Sequence, residues 1–270
     1  MKEFKIISHS TSKYESLAAN SKYLNDCLAE MQRRQIKNIS INSAWGWNDE
    51  IGIEFIKENT WIEGVEVISD GLNISPINEL KKLKIIGLTG AKLKGALDFS
   101  NFPLLEKMTI IWLEKQFKNL GSSANLSHVF LNRYPFENLK VFSDCKKLNR
   151  LQLNYGNLKG LTGVEKLGNL KYLDIYSMPE LSSLEAVKDI AKTLTTFSIE
   201  KCKKADLSVI KNLINLEVLH IAECGTIDSV QFISDMKNLR HAYIGVEILD
   251  GNVDILKERG FEFKRSKNYK

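Results

Sequence analysis

The sequence lacks the features that mark secreted, membrane-spanning and nucleic-acid-binding proteins. Its four cysteines are scattered over 270 residues, which does not indicate a disulfide framework. No stretch approaches the roughly 18 apolar residues of a membrane span, and residues 1–10 lack the apolar segment of a signal peptide. The net charge of +5 is small for this length and does not favour nucleic acid as the main partner. We therefore expect a cytoplasmic protein that does not enter a membrane.

Motifs of the common enzyme classes are also missing. The chain contains no G-x-S-x-G nucleophile elbow, no P-loop and no H-E-x-x-H zinc motif. His220 and His241, with Glu223 nearby, could bind a metal only in an unusual geometry, and two surface histidines are the simpler interpretation. We predict a protein without catalytic activity, without a metal and without a cofactor.

What the sequence does contain is one pattern that recurs along most of its length. Residues 216–224 carry leucine or isoleucine at the first, fourth and sixth positions and cysteine at the ninth. Copies of the pattern begin 21 to 24 residues apart, at Ile62, Leu83, Leu105, Leu126, Leu148, Leu170, Leu194, Leu216 and Leu239, with a more distant copy at Ile36. So regular a spacing indicates a repeat architecture, in which each copy contacts only its neighbours.

Each copy is expected to contribute one short β-strand followed by tight turns. Positions one, four and six should point inward, and the strands of successive copies should pair in parallel. Apolar residues at three- and four-residue steps follow the strands and indicate short helical or 3₁₀ turns, as in Leu158, Leu161, Val164 and Leu167. This pattern predicts an α/β solenoid of about 9–10 repeats, curved into a horseshoe or arc with a parallel sheet on its concave face.

A single domain is predicted over the whole chain. Its parts are an N-terminal helical cap (1–35), the repeats (36–247) and a C-terminal cap with a basic tail (248–270). Apolar residues at helical spacing predict a helix over residues 11–35, which begins at a capping box formed by Ser12 and Glu15. This helix is expected to cover the open first repeat, and a helix that binds a partner is the alternative.

The recurring L-x-x-L-x-L-x-x-C pattern is similar to the strand segment of leucine-rich repeats. The chain resembles the bacterial leucine-rich repeat superfamily with short repeats of 21–24 residues. Its closing segment resembles that of a set of cytosolic bacterial members whose functions are not established, through Asp250-Gly251-Asn252, Lys264-Arg265 and Tyr269. Asn252 and Asn268 depart from the DGD turn and the basic-basic-His-Tyr end of that set. The secreted internalins of Listeria have similar repeats, but we expect no such adhesin because the chain shows no signal peptide and no L-P-x-T-G anchor.

The resemblance implies asparagine at the ninth position, and two copies carry cysteine there instead. Cys202 and Cys224 should therefore stack in neighbouring repeats, with Cα atoms within the range of roughly 4.4–6.8 Å that a disulfide requires. We expect both to be reduced, buried thiols, because that is the usual state of structural cysteines in the cytosol.

The outward-pointing strand positions give a map of the predicted concave face. Its middle is rich in aromatic, histidine and arginine residues, which are enriched at protein interfaces, although tyrosines that only satisfy strand propensity are the alternative. The predicted partner-binding residues are Trp112, His128, Phe130, Arg150, Gln152, Tyr155, Tyr172, Asp174, Tyr176, Glu200, His220 and Tyr243.

Together these features predict a monomeric, non-catalytic module that binds another protein on its concave face. A narrower version, by analogy with the superfamily, is an inhibitor or immunity-type protein that covers the active site of a toxin or enzyme. The alternative function is binding of nucleic acid or another polyanion through the basic tail, Lys264–Lys270.

Overall fold

The computed structural model describes residues 4–8, 14–111 and 116–264. Contacts within the chain divide it into two compact units, residues 1–126 and residues 127–270. In both units, copies of the repeated pattern form strands that pair side by side, and 3₁₀ turns follow them. The predicted parallel sheet and 3₁₀ turns are thus confirmed inside each unit, whereas the horseshoe shape and the single domain stay predictions.

The first unit contains a mostly parallel sheet with one antiparallel strand at its edge. Its described strands are β1 (Lys5–Ser8), β2 (Glu15–Ala18), β3 (Asn38–Ile41), β4 (Gly64–Val67), β5 (Ile85–Leu88), β6 (Leu97–Asp98), β7 (Lys107–Ile111) and β8 (Phe117–Lys118). Strand β1 pairs antiparallel with β2. The strands β2, β3, β4, β5 and β7 pair in parallel in that order, and β6 and β8 form a separate small pair. One buried apolar row runs across the parallel strands: Leu17, Ile39, Val65, Ile86 and Met108.

The prediction of a helix over residues 11–35 is wrong in its first half. Glu15 begins strand β2, and the helix α1 covers only Leu24–Arg34; Ser12 lies outside the described residues. Leu17 is buried because it pairs with Ile39 in the parallel ladder, so its apolar side chain belongs to the sheet. Helical structure begins only after Asn20, whose side chain accepts a hydrogen bond from the Lys22 N–H at 3.0 Å.

The second unit is a sheet of successive parallel strands. Its described elements are β9 (His128–Tyr134), β10 (Arg150–Gly156), β11 (Tyr172–Tyr176), β12 (Thr196–Glu200), β13 (Val218–Ala222), β14 (His241–Gly245), α2 (Asp254–Glu258) and β15 (Glu262–Phe263). Neighbouring strands pair in the order of the sequence. Two apolar rows fill its interior: Val129, Leu151, Leu173, Phe197, Leu219 and Ala242, and beside them Leu131, Leu153, Ile175, Ile199, Ile221 and Ile244. These rows are the fourth and sixth positions of the repeated pattern.

A shared hydrogen-bond acceptor sets where each strand starts. The N–H groups of Asn149 and Arg150 both donate to the carbonyl of Ser127, at 2.9 and 3.1 Å, and the same arrangement recurs in the following repeats. The repeat between Leu170 and Leu194 is 24 residues long, yet Tyr172 still pairs with Thr196. Its extra length is taken up by the turn, where a 3₁₀ helix spans Glu185–Ile190. The register of the sheet is therefore independent of the length of the turns.

The described part of the predicted C-terminal cap contains the short helix α2 and the last strand β15, which pairs in parallel with β14. Its main tie to the repeats is Arg259, whose guanidinium donates to the backbone carbonyls of Ile233, Met236 and Leu239 at 2.9, 3.1 and 2.6 Å. These carbonyls belong to buried residues within and just after a 3₁₀ turn. Those of Ile233 and Met236 also accept the backbone N–H groups of Met236 and Leu239, at 3.2 Å each. Of the predicted basic tail only Lys264 is described; residues 265–270 lie outside the described part of the chain.

Candidate protein-binding face

The outward-pointing residues of β9–β14 form what we call the open face. They alternate with the buried rows because side chains alternate along a strand. In the third-position row Arg150 stands between His128 and Tyr172, and in the fifth-position row Gln152 stands between Phe130 and Asp174. The sequence placed these rows correctly, because the parallel register brings equal positions of successive repeats side by side.

At the end of each strand, a left-handed residue exposes one further side chain. Such residues occupy the eighth position of five successive repeats, with φ between 49° and 63°: Arg133, Tyr155, Ser177, Lys201 and Glu223. This backbone bend lets the ninth position turn into the core, as Met178 and Cys202 do. None of the five is glycine or asparagine, so each costs roughly 1 kcal/mol or more in backbone energy.

Aromatic and charged side chains touch one another from β10 to β14, in what we call the cross-strand network. Its members are Tyr155, Tyr176, Lys201, Glu200, His220 and Tyr243. The rings of Tyr155 and Tyr176 meet edge to face with centroids 5.3 Å apart, and the Lys201 ammonium donates to the Tyr176 hydroxyl at 2.6 Å. Glu200 carboxylate oxygens lie 3.9 Å from Lys201 Nζ and 3.7 Å from His220 Nε2. The His220 ring stacks on Tyr243 with centroids 5.0 Å apart.

The hydrogen bonds of this network fix the charges that it displays. The bond to Tyr176 is the largest effect that raises the pKa of Lys201, which keeps this side chain an ammonium. A hydrogen bond with Tyr176 likewise raises the pKa of the Tyr155 hydroxyl. Near neutral pH the network therefore presents the Lys201 ammonium and the neutral Tyr155 phenol within a short distance.

A second group of contacts, the Arg150 cluster, lies nearer the start of the strands. The Arg150 guanidinium stacks over the Tyr172 ring, 3.8 Å from its centroid. Arg150 Nε donates to Gln152 Oε1 at 3.3 Å, and Gln152 Nε2 donates to Asp174 Oδ2 at 3.2 Å. Stacking and hydrogen bonding hold these long side chains in place before any partner is present.

The two groups contain most of the residues that the sequence singled out. Phe130 and His128 are half-buried on β9, where His128 Nδ1 lies 2.9 Å from the Ser127 hydroxyl, and Trp112 lies outside the described residues. The sequence selection missed Lys201, which joins Tyr176 to Glu200. Lys201 occupies an eighth position, where a left-handed backbone bend brings its side chain onto the open face. A lysine at this position does not indicate such a bend from the sequence. Within the described residues, no three histidine, cysteine or acidic side chains come together as a metal site.

Comparison with solved structures identifies the fold. A leucine-rich repeat protein of Leptospira interrogans superposes with a TM-score of 0.61 and 16% identity, over 80% of this chain and 62% of that one. The chain has a leucine-rich repeat fold. The internalin InlF of Listeria monocytogenes aligns over 86% of this chain and 74% of its own, with 14% identity and a TM-score of 0.43. The Leptospira match confirms the predicted resemblance to bacterial leucine-rich repeat proteins at the level of the fold.

The structural similarity shows the fold and does not extend to the function. This leucine-rich repeat chain spans less than two thirds of the Leptospira protein, and their identity of 16% does not transfer a function. No family model matches the sequence. A search of curated proteins finds no significant match. Among the described residues, no helix has the length and hydrophobicity needed to cross a bilayer.

Proposed function

We propose that this leucine-rich repeat chain is a non-catalytic module that binds another protein through its open face. The proposal rests mainly on the cross-strand network. Three of its six side chains are tyrosines, a residue type enriched among those that dominate binding energies at interfaces, and the six already hold one another in place. A partner would therefore meet ordered groups, which reduces the entropy lost on binding.

The dimensions of the open face suit the centre of a protein interface. From β9 to β14 there are five strand spacings, which is about 24 Å, and the third to eighth positions extend about 17 Å along the strands. The projected area is about 400 Å², compared with about 800 Å² on each side of a typical interface. Residues around the face would supply the polar rim.

A narrower form of the proposal concerns the kind of partner. The open face would cover the active site of a toxin or enzyme, as in an inhibitor or immunity-type protein. This version draws on analogy within the superfamily and on the preformed order of the face. A monomeric state and a cytoplasmic location belong to the same proposal and stay predictions.

Affinity capture with matched variants tests the open face. The full chain and its Tyr172→Ala/Asp174→Ala/Tyr176→Ala variant would be used as baits in native lysate, and bound proteins identified by mass spectrometry. The control is Lys166→Ala/Lys188→Ala/Lys211→Ala, because these exposed lysines lie on the 3₁₀ turns after β10, β11 and β12. We expect a partner that binds the wild type and the control but not the first variant. Undiminished capture by the first variant would show that the main contact is elsewhere.

A further inference from the structure

Two thiols occupy neighbouring turns directly after the open face. Cys202 follows β12 and Cys224 follows β13, each two residues beyond Glu200 and Ala222, which pair in register. Neighbouring strands are about 4.8 Å apart, so the Cα atoms of the two cysteines fall within the range that a disulfide accepts. Both are free thiols.

The two thiols are not equivalent. Cys202 is fully buried and Cys224 is partly exposed. The interaction between the two thiols lowers the pKa of Cys224 and raises the pKa of Cys202, and burial raises the pKa of Cys202 further. Cys224 is thus both the more accessible sulfur and the more easily ionised one, and the thiolate is the reactive form of cysteine.

The other two cysteines of the chain provide an internal comparison. Cys27 and Cys145 are both fully buried. Burial raises the pKa of Cys27, and it raises the pKa of Cys145 to about 11. At neutral pH the thiolate fraction of Cys145 should therefore be about 100-fold below that of an ordinary cysteine.

We propose that Cys224 is an oxidation site for hydrogen peroxide or another small hydroperoxide, and that Cys202 is its resolving cysteine. The Cys224 thiolate attacks one peroxide oxygen, the O–O bond breaks, and hydroxide leaves and takes up a proton to become water. Cys202 then attacks the sulfur of the Cys224 sulfenic acid, so that the S–S bond forms, the S–O bond breaks and a second water is released. The two thiols together lose two electrons and two protons, and the peroxide is reduced to two waters.

The position of this pair links its oxidation state to the open face. The left-handed residues Lys201 and Glu223 directly precede the two cysteines, and Lys201 belongs to the cross-strand network. The thiols also lie close to the end of the sheet, since Cys202 Sγ is 3.3 Å from the Glu200 carbonyl oxygen and Cys224 Sγ is 3.2 Å from that of Ala222. The oxidation reaction itself does not depend on the proposed function.

Peroxide titration of the folded, full-length protein tests the proposal. After brief exposure to hydrogen peroxide at neutral pH, free thiols would be alkylated and the peptides analysed by mass spectrometry. We expect a disulfide between the Cys202 and Cys224 peptides, and dithiothreitol should reverse it. Cys27 and Cys145 should be recovered as alkylated, unoxidised cysteines. The reaction of Cys224 should be at least about 100-fold faster than that of Cys145.

Two variants separate the roles of the cysteines. In Cys202→Ala the sulfenic acid on Cys224 should persist and react with a 1,3-dione probe, and in Cys224→Ala Cys202 should stay a free thiol. Circular dichroism checks that each variant is folded, and the wild-type comparison with Cys145 stands even if one is not. Equal rates at all four cysteines would overturn the proposal, as would a fully reduced pair after an exposure that oxidises glutathione completely.

Discussion

Replacing Arg259 with alanine should loosen the C-terminal cap of residues 127–270. The guanidinium joins the last helix to three carbonyls of the preceding turn, at Ile233, Met236 and Leu239, and it lies 4.8 Å from the Phe261 ring centroid. Arg259→Ala removes all of these donors at once. The carbonyls of Ile233 and Met236 keep one backbone donor each, from the N–H groups of Met236 and Leu239. All three carbonyls belong to buried residues, so water can replace the bonds to Arg259 only in part.

The expected loss of stability follows from the three hydrogen bonds. A hydrogen bond to a charged group contributes about 1.5–3 kcal/mol, and an unsatisfied buried acceptor costs about 1–3 kcal/mol. Arg259 is partly exposed, so we take the lower end, about 1 kcal/mol for each carbonyl and about 3 kcal/mol in total. For a unit of this size that free energy corresponds to a fall in Tm of about 6–12 °C.

The assay must report on the second unit. All four tryptophans lie in residues 1–126, so tryptophan fluorescence does not follow this change directly. Urea unfolding by far-ultraviolet circular dichroism would give the free energy, and hydrogen exchange of the β14 amides would localise it. Lys237→Ala is the control, because this exposed lysine makes one bond to a carbonyl of the same turn, at Ser234, and should cost below about 0.5 kcal/mol. Equal effects of the two substitutions, or a loss below about 1 kcal/mol for Arg259→Ala, would refute this account of the cap.

Three further predictions concern the open face, the first unit and the tail. Lys201→Met should weaken partner binding about tenfold in titration calorimetry, because Lys201 belongs to the cross-strand network. Lys211→Met should have little effect, because this lysine lies on a 3₁₀ turn. Equal affinities of the two variants would show that Lys201 is not part of the site. Burial acts to raise the pKa of Glu63, but hydrogen bonds from Lys37 and Lys84 hold this pKa below 4.5. The contribution of the ionised Glu63 to stability is therefore present above pH 4.5 and is lost as the pH falls further. Acid unfolding followed by tryptophan fluorescence should be shallower in Glu63→Gln, and an unchanged profile would contradict this. If the basic tail binds a polyanion such as heparin, affinity should fall by a factor of about 10³ or more between about 50 and 200 mM salt, whereas salt-independent binding would argue against it.

The strands could be predicted because the same apolar pattern recurs in successive copies. Each copy places apolar residues at its first, fourth and sixth positions, so an error in one copy is corrected by the others. Strand β2 had no such support, since Leu17 fits both a helical spacing with Leu24 and a strand position beside Ile39. A single apolar residue cannot distinguish the two, and the pairing with β3 decided in favour of the strand.

The outward-pointing residues of the open face were easier to predict from the sequence than the contacts between their side chains. Position within the repeat identifies the outward residues, and so it identified Tyr176 and Glu200. The link between them runs through Lys201, which reaches the face only because its backbone is left-handed at φ 55°. Lysine gives no sign of that conformation, whereas glycine or asparagine would have done so. The role of Arg259 could not be predicted either, because its acceptors are backbone carbonyls 20 to 26 residues earlier in the chain.

The shared carbonyl at the start of each strand has a consequence for how such a chain can change. Because it fixes the register locally, residues added to a turn do not shift the sheet, and the 24-residue repeat from Leu170 to Leu194 shows this already. Insertions on the turn side can therefore accumulate, or be engineered as tags and second binding loops, without moving Tyr172 relative to Thr196. The two sides of the repeat are free to diversify separately, so one lineage could keep its partner while acquiring a new attachment, or keep its turns while exchanging partners.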